Sequence, residues 1–355
     1  MTVRLPEYIT GEYAVGTETF TIYDEEREEV LGLATGPRKI SVRMYYPVCK
    51  DVTEGFERAE AISAVKRRAL EKAYFMKMPK DADYTAEYYT GAPHVPGAKF
   101  PLLLFSHGYK SYREGNTYLC CDLASHGYIV ASVGHAYEAL ANEYDDGTVD
   151  YYDKKINKKM YKSMPKAIIW SMKLQKIKGT PEEMYEKFNA FQKDQAGFML
   201  GRLKVWGEDS MRVVRELKER YAEWIDFSNG IGATGHSMGG ATAYYLCQHE
   251  PEISCGVNID GGVFGNYEGM TMTKPFMQIS CEANVPVGTR VLLHTQAPAR
   301  MEVFEDMKHI GFSDAKYMNP GSAMFGKLDC KVMHQRMVAL HLEVFDLNLK
   351  SEKMQ

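Results

Sequence analysis

Ile231-Gly232-Ala233-Thr234-Gly235-His236-Ser237-Met238-Gly239-Gly240-Ala241-Thr242 is the stretch that decides how this chain folds. A short run of small and apolar residues leads into a serine with glycine two positions before it and two after it. A strand that turns into a helix within so few residues leaves no room for side chains beside the turn. Gly235 and Gly239 therefore read as steric requirements, and the Ser237 hydroxyl is pushed out above the sheet. The helix that follows brings its unpaired N–H groups and positive end to that spot. Gly-x-Ser-x-Gly alone arises by chance in long chains, and a glycine-rich turn with a bystander serine is the competing reading; the surroundings decide between them.

Upstream, Ile40, Val42, Met44 and Tyr46 alternate with Ser41, Arg43 and Tyr45, the period of a half-buried strand that Pro47 ends. From about Gly55 to Met78 the chain is rich in Ala, Glu, Lys and Arg and reads as helix. Pro101-Leu102-Leu103-Leu104-Phe105 is a continuous apolar run, as expected of a strand covered on both faces. It runs into Ser106-His107-Gly108, then a helical pattern through Tyr118, Leu119 and Leu123, then a second buried strand, Tyr128 to Val133. Strand, turn, helix, parallel strand is the βαβ rhythm.

That rhythm stops between about Glu138 and Trp206, where no buried strand is evident. The segment opens acidic, turns basic from Lys154 to Lys178, and then offers Thr180-Pro181-Glu182-Glu183, a capped helix start. Met184, Phe188, Phe191, Phe198, Met199 and Leu203 supply an apolar face. Residues 138–206 are thus expected to form a helical lid or cap inserted into a single domain spanning 1–355. Downstream come an amphipathic helix from Ser210 to Trp224, the serine turn, a helix from Gly240 to His249, strands at Cys255 to Ile259 and Pro275 to Ser280, a weak strand near Ala315 to Met318, and a final helix from Gln335 to Leu349. The fold class is α/β, with a mostly parallel central sheet flanked by helices.

Apolar residues make up 45% and charged residues 25%, which suits a water-soluble globular domain, and a net charge of −4 argues against a nucleic-acid partner. Met1 to Gly16 lacks the basic start and apolar run of a secretory signal, and no stretch approaches the roughly 20 apolar residues of a membrane span. The seven cysteines are odd in number, without a CxxC pair, and read as reduced, buried thiols of a cytoplasmic protein.

Two N–H donors are needed to hold a developing oxyanion. Met238, directly after the serine, is one candidate, and Tyr109, in the loop after the Pro101–Phe105 strand, is the other. The His107 ring is expected to orient that loop and not to exchange protons. Two carboxylates end strands in the right region for the acid of a triad, Asp260 and Glu282, and four histidines lie downstream: His294, His309, His334 and His341.

Pro101 to Gly108, Asp122 to Val130, Gly235 to Thr242 and Asn258-Ile259-Asp260-Gly261-Gly262, preceded by Val42 to Pro47, resemble the platelet-activating-factor acetylhydrolase family, calcium-independent serine lipases of the α/β-hydrolase fold. The likeness runs in ordered blocks from about Phe20 to the end. It implies Asp260 as the acid in preference to Glu282, and His334 as the base ahead of His294, because His334-Gln335 resembles a His-Gln pair that enters the family's last helix. One departure is visible: the family's Gly-Ser-x-His finds only Gly321-Ser322-Ala323-Met324 here. The resemblance further implies a Ser237–His334–Asp260 carboxylic ester hydrolase working through an acyl-enzyme, with no metal or organic cofactor. Its expected substrates are short-acyl lipid esters or small apolar esters; a small-molecule or polyester carboxylesterase, and an acyltransferase or peptidase on the same scaffold, are the alternatives. Lys154, Lys155, Lys158, Lys159 and Lys162 are candidates for weak contact with an anionic membrane surface, against the plainer reading of a solvated helix face.

Overall fold

The computed structural model describes residues 9–31, 35–74, 78, 83–153, 169, 172–173, 176–195, 197–265, 267–319 and 321–350. Its strands are β1 (Ala14–Glu28), β2 (Pro37–Val48), β3 (Arg58–Glu60), β4 (Thr85–Thr90), β5 (Phe100–Ser106), β6 (Ile129–His135), β7 (Ala141–Glu143), β8 (Val149–Tyr151), β9 (Ile225–Asp226), β10 (Ile231–His236), β11 (Ile253–Ile259), β12 (Phe276–Cys281) and β13 (Ala299–Phe304). The large sheet has the order β13-β12-β11-β10-β5-β6-β2-β1-β4-β3, with β9 beside the start of β5, while β7 and β8 form a separate hairpin. All pairings from β13 through β6 are parallel. At β2 the direction reverses, and β1 and β2 make a long antiparallel pair.

Alternation along the central strands divides the interior into two cores, because successive side chains point to opposite faces. Leu103 and Phe105 of β5, Val130 of β6 and Val257 and Ile259 of β11 face one core, where the helices Thr117–Ser125 and Cys330–Phe345 pack. Leu102, Leu104, Ile129, Ala131 and Ile231 face the other, covered by the helices Gly197–Arg220 and Met238–His249. Both faces being covered explains why β5 reads as an unbroken apolar run. Truncating Leu103 or Leu104, each at most 1% exposed, to Ala costs about 2–5 kcal/mol through lost transfer energy and the cavity left behind.

Several expectations are corrected. The Gly55–Met78 segment contains the short strand β3 before a helix at Ala64–Tyr74. Residues 138–206 are not all helical, since they include the β7–β8 hairpin. The capped start at Thr180 forms as read: its N–H donates to Glu183 Oε2 at 3.1 Å, the Glu183 N–H lies 3.4 Å from Thr180 Oγ1, and a helix follows at Pro181–Gln195. The next helix, Gly197–Arg220, runs straight through the expected boundary at 206 and absorbs the helix read as Ser210 to Trp224 as far as Arg220. Lys154, Lys155, Lys158, Lys159 and Lys162 lie outside the described residues. Ala315–Met318 is a helical turn, and the last strand is β13, which lies earlier in the chain. The final helix begins at Cys330, so it contains His334. None of the seven cysteines is in a disulfide.

Candidate active site

Strand β10 ends at His236 and a helix starts at Met238, leaving Ser237 between them at φ 58° and ψ −116°. A side chain rarely tolerates that backbone, and the turn holds it by close packing. A Cβ on Gly235 would fall 2.4 Å from the Ser106 carbonyl oxygen, and one on Gly239 would fall 1.8 Å from the same atom. The end of β5 therefore presses on the turn, and only glycine fits at either position. The Ser237 N–H donates to the Ile259 carbonyl at 2.8 Å, fastening the turn to the end of β11.

The loop after β5 comes close to the serine: a Cβ on Gly108 would sit 3.2 Å from Ser237 Cβ. His107 fixes its direction. The buried ring donates from Nδ1 to the Gly108 carbonyl at 2.7 Å and accepts the His135 N–H at Nε2, 3.3 Å away, while the Ser111 N–H also donates to the Gly108 carbonyl at 2.8 Å. In a trans peptide the next N–H points opposite to the carbonyl, so anchoring the Gly108 oxygen sets the direction of the Tyr109 N–H. Burial, with nearby His135, pushes the His107 pKa down to about 3, so the ring is neutral and keeps this tautomer. Met238 opens its helix, and its N–H has no acceptor within that helix.

Asp260 directly follows β11, at φ 56° and 1% exposed. Its Oδ1 accepts the Cys281 N–H at 2.7 Å, and its Oδ2 accepts from Asn284 Nδ2 at 2.8 Å and from the Cys281 thiol at 3.3 Å. Burial and the neighbouring carboxylate push the Cys281 thiol up to about 12, which keeps it protonated and a donor. The ring that completes the row is His309, not His334. His309 Nδ1 donates to Asp260 Oδ2 at 2.7 Å, and its Nε2 stands 2.9 Å from Ser237 Oγ as acceptor of the hydroxyl proton. His236 braces it by donating from Nε2 to the His309 carbonyl at 2.9 Å.

His334 is held elsewhere. It lies in the first turns of the Cys330–Phe345 helix, where Nε2 donates to Asp122 Oδ2 at 2.9 Å and Nδ1 accepts from the Tyr317 hydroxyl at 3.0 Å. His294 borders a separate cavity with Tyr185 and Arg290. Glu282 is exposed on the turn after β12. His309, one of the four downstream histidines, reads from sequence as part of a helix-like run ahead of a last strand at Ala315–Met318, whereas that strand is β13 and His309 follows it. The signal that finds it is the alternation Arg300-Met301-Glu302-Val303 of a half-exposed edge strand, followed at once by a turn with Asp306 at φ 57°.

A cleft of about 110 Å³ opens beside Ser237 and His309, lined largely by Leu70, Tyr74, Tyr112, Leu140, Ile310 and Phe325. Apart from Leu140, no described residue of 138–206 borders it. The helix Gly197–Arg220 instead packs Leu203 and Trp206 behind the serine turn, against Met238 and Ala241. Among the described residues no helix is long and apolar enough to cross a membrane.

Comparison with known proteins agrees with this layout. A solved ferulic acid esterase from Streptomyces cinnamoneus superposes over 99% of this chain and 94% of its own, with a TM-score of 0.76 and 20% identity. The sheet order and this match give the α/β-hydrolase fold. Platelet-activating factor acetylhydrolases of Canis lupus familiaris and Gallus gallus are each 28% identical, over 48% and 49% of this chain. The matched stretches span 36% and 43% of those relatives, and 56% of the one from Cavia porcellus. A family model, platelet-activating factor acetylhydrolase, isoform II, matches residues 2–283, a stretch that includes Ser237 and Asp260 and stops short of His309. The chain belongs to that family.

Proposed function

We propose that this protein is a carboxylic ester hydrolase in which Ser237 is the nucleophile, His309 the general base and Asp260 the acid that orients it. The observation that carries the reading is one imidazole spanning both partners, 2.9 Å from Ser237 Oγ and 2.7 Å from Asp260 Oδ2. With Nδ1–H committed to the carboxylate, Nε2 is the free base, and it takes the hydroxyl proton as Ser237 attacks the ester carbonyl. The imidazolium formed is stabilised by the buried Asp260 carboxylate and then protonates the departing alcohol. Water, activated by the same nitrogen, releases the acid from the acyl-enzyme. The N–H groups of Met238 and Tyr109 hold the oxyanion of each tetrahedral intermediate.

The cleft supports short-acyl or small apolar esters as substrates, since its walls are aromatic and aliphatic and its volume is modest. The experiment is hydrolysis of p-nitrophenyl esters of increasing chain length, together with labelling by a fluorophosphonate. Ser237→Ala is expected to lose both turnover and label, and His309→Ala to lose turnover, while His334→Ala keeps turnover per folded molecule. Labelling of the Ser237→Ala protein at the wild-type rate would overturn the proposal.

A further inference from the structure

Among the described residues, the lining of the cleft beside Ser237 carries a single formal charge. Its lining is aliphatic, aromatic or hydroxylic, apart from His236 and His309, and includes no carboxylate; Lys110 is the exception. Lys110 is half-buried and held in place by its main chain: its N–H donates to the Glu138 carbonyl at 2.8 Å, its own carbonyl accepts from the Tyr74 hydroxyl at 3.1 Å, and its φ is 61°. The ammonium lies over two rings, 5.2 Å from the centre of Tyr74 and 5.7 Å from that of Tyr152. Among the described residues no carboxylate stands within ion-pair distance of it. Two neighbouring acids are taken: Glu114, four residues on, by Lys66 and Arg113, and Glu138, whose carbonyl accepts the Lys110 N–H, by Arg202.

A lysine that only needed to be soluble would place its ammonium in open water. This one is turned over aromatic faces at the wall of an apolar cleft, one residue beyond the Tyr109 N–H. Cation–π contact leaves its three N–H donors able to take an anion as well. Building on the esterase reading above, we propose that Lys110 is a specificity-determining residue. It selects esters that carry an anionic group, a carboxylate or a phosphate, a short distance from the scissile carbonyl.

The test measures kcat/KM for matched pairs of esters. One pair places the anion on the acyl half: mono-p-nitrophenyl glutarate against p-nitrophenyl butyrate. The other places it on the alcohol half: 2-acetoxyethyl phosphate against 2-acetoxyethanol, followed by acetate release. A charge-assisted contact is worth roughly tenfold in binding or more. In Lys110→Met the anionic-to-neutral ratio is therefore expected to fall about tenfold for one pair, which identifies the half that bears the anion. Lys110→Arg should largely restore the ratio, and Lys110→Glu should push it below that of Lys110→Met. A ratio unchanged in Lys110→Met for both pairs overturns the proposal, and so does a loss shared equally by charged and neutral esters, which would mean the ammonium acts on the oxyanion. Failure of the esterase reading is told apart by Ser237→Ala, whose full turnover would remove the reaction itself.

Discussion

Among the described residues several histidines sit between a buried aspartate and a hydroxyl, His135 between Asp209 and Ser106 among them, and two of these rows are built for opposite ends. His309 joins Asp260 to Ser237 at 2.7 and 2.9 Å; His334 joins Asp122 to Tyr317 at 2.9 and 3.0 Å. The tautomers are reversed, with Nδ1–H facing the acid in the first pair and Nε2–H in the second. What separates them is access. The His309 side chain is 39% exposed at a cleft, whereas the His334 side chain is 2% exposed between two helices. The hydroxyl of the first pair rides on a strained turn facing open space, and that of the second belongs to a tyrosine packed against Tyr118. A row of acid, imidazole and hydroxyl is therefore a common way to satisfy buried polar groups, and chemistry needs the additional opening.

The comparison breaks or holds at definite places. The largest effect is expected in the first pair: Ser237→Ala and His309→Ala should each lower kcat by about 10^4-fold or more, and the double variant should be little worse than either, because the two act as one unit. Asp260→Asn should cost about as much as a wrong tautomer does in such sites, around 10^4-fold, read from kcat with KM nearly steady. In the second pair His334→Ala should leave kcat per folded molecule within a few-fold of wild type and lower stability by about 3 kcal/mol, measured by urea unfolding. Burial works against the Asp122 charge, and hydrogen bonds from His334 and Thr10 hold its pKa below the usual value, so losing the ring removes a main support of a buried carboxylate and leaves it to Thr10 and Ser125. If His334→Ala instead abolished turnover in a folded protein, the two pairs would have to exchange roles.

The last expected effect, read as a slope of stability with pH and not as a loss of turnover, sharpens the contrast with a third aspartate that has no histidine. Asp314, 4% exposed, faces the N–H groups of Tyr118, 3.4 Å away, and Thr117, and burial outweighs them and pushes its pKa up to about 8. The unfolded chain releases this proton near pH 4, while the folded protein keeps it to about pH 8. Stability from this group is thus complete below pH 4 and falls as pH rises through that window, by up to about 1.4 kcal/mol per pH unit. Asp314→Asn should flatten that slope, so unfolding free energies of the two proteins should converge or cross between pH 4 and pH 8. An identical pH dependence in both would show that Asp314 is ionised in the folded protein.

The central strands and the serine turn were legible because their constraints are local. Leu102 to Phe105 must be apolar on both faces, and Gly235 and Gly239 must be glycine wherever a strand bends into a helix against a neighbouring strand. Asp260 was reached through resemblance, since Glu282 ends its own strand equally well; only the turn at Asn284, which folds back to donate to Asp260, separates the two. His309 was not legible, for a physical reason. It is positioned by an edge strand, and edge strands show only a half-buried alternation that polar residues such as Arg300 and Glu302 interrupt. His334 was preferred because His334-Gln335 resembles a pair entering the family's last helix, and nothing in sequence tells a buried histidine paired with an aspartate from a reactive one. Within the expected helical cap, Phe188 and Phe191 bury apolar surface beside Phe264, and Leu203 and Trp206 pack behind the serine turn.

The helix Gly197–Arg220 sets a rule for recombination among proteins of this kind. It begins within residues 138–206, read from sequence as an insertion, and continues to Arg220 without a break at residue 206. Exchanging the insertion as a cassette with a junction near that point would splice two halves of one helix and leave Trp206 facing a foreign partner beneath Met238. Cassettes bounded before Gly197 keep that support native, and a library of insertion swaps should sort into active and inactive members by which side of Gly197 the crossover falls.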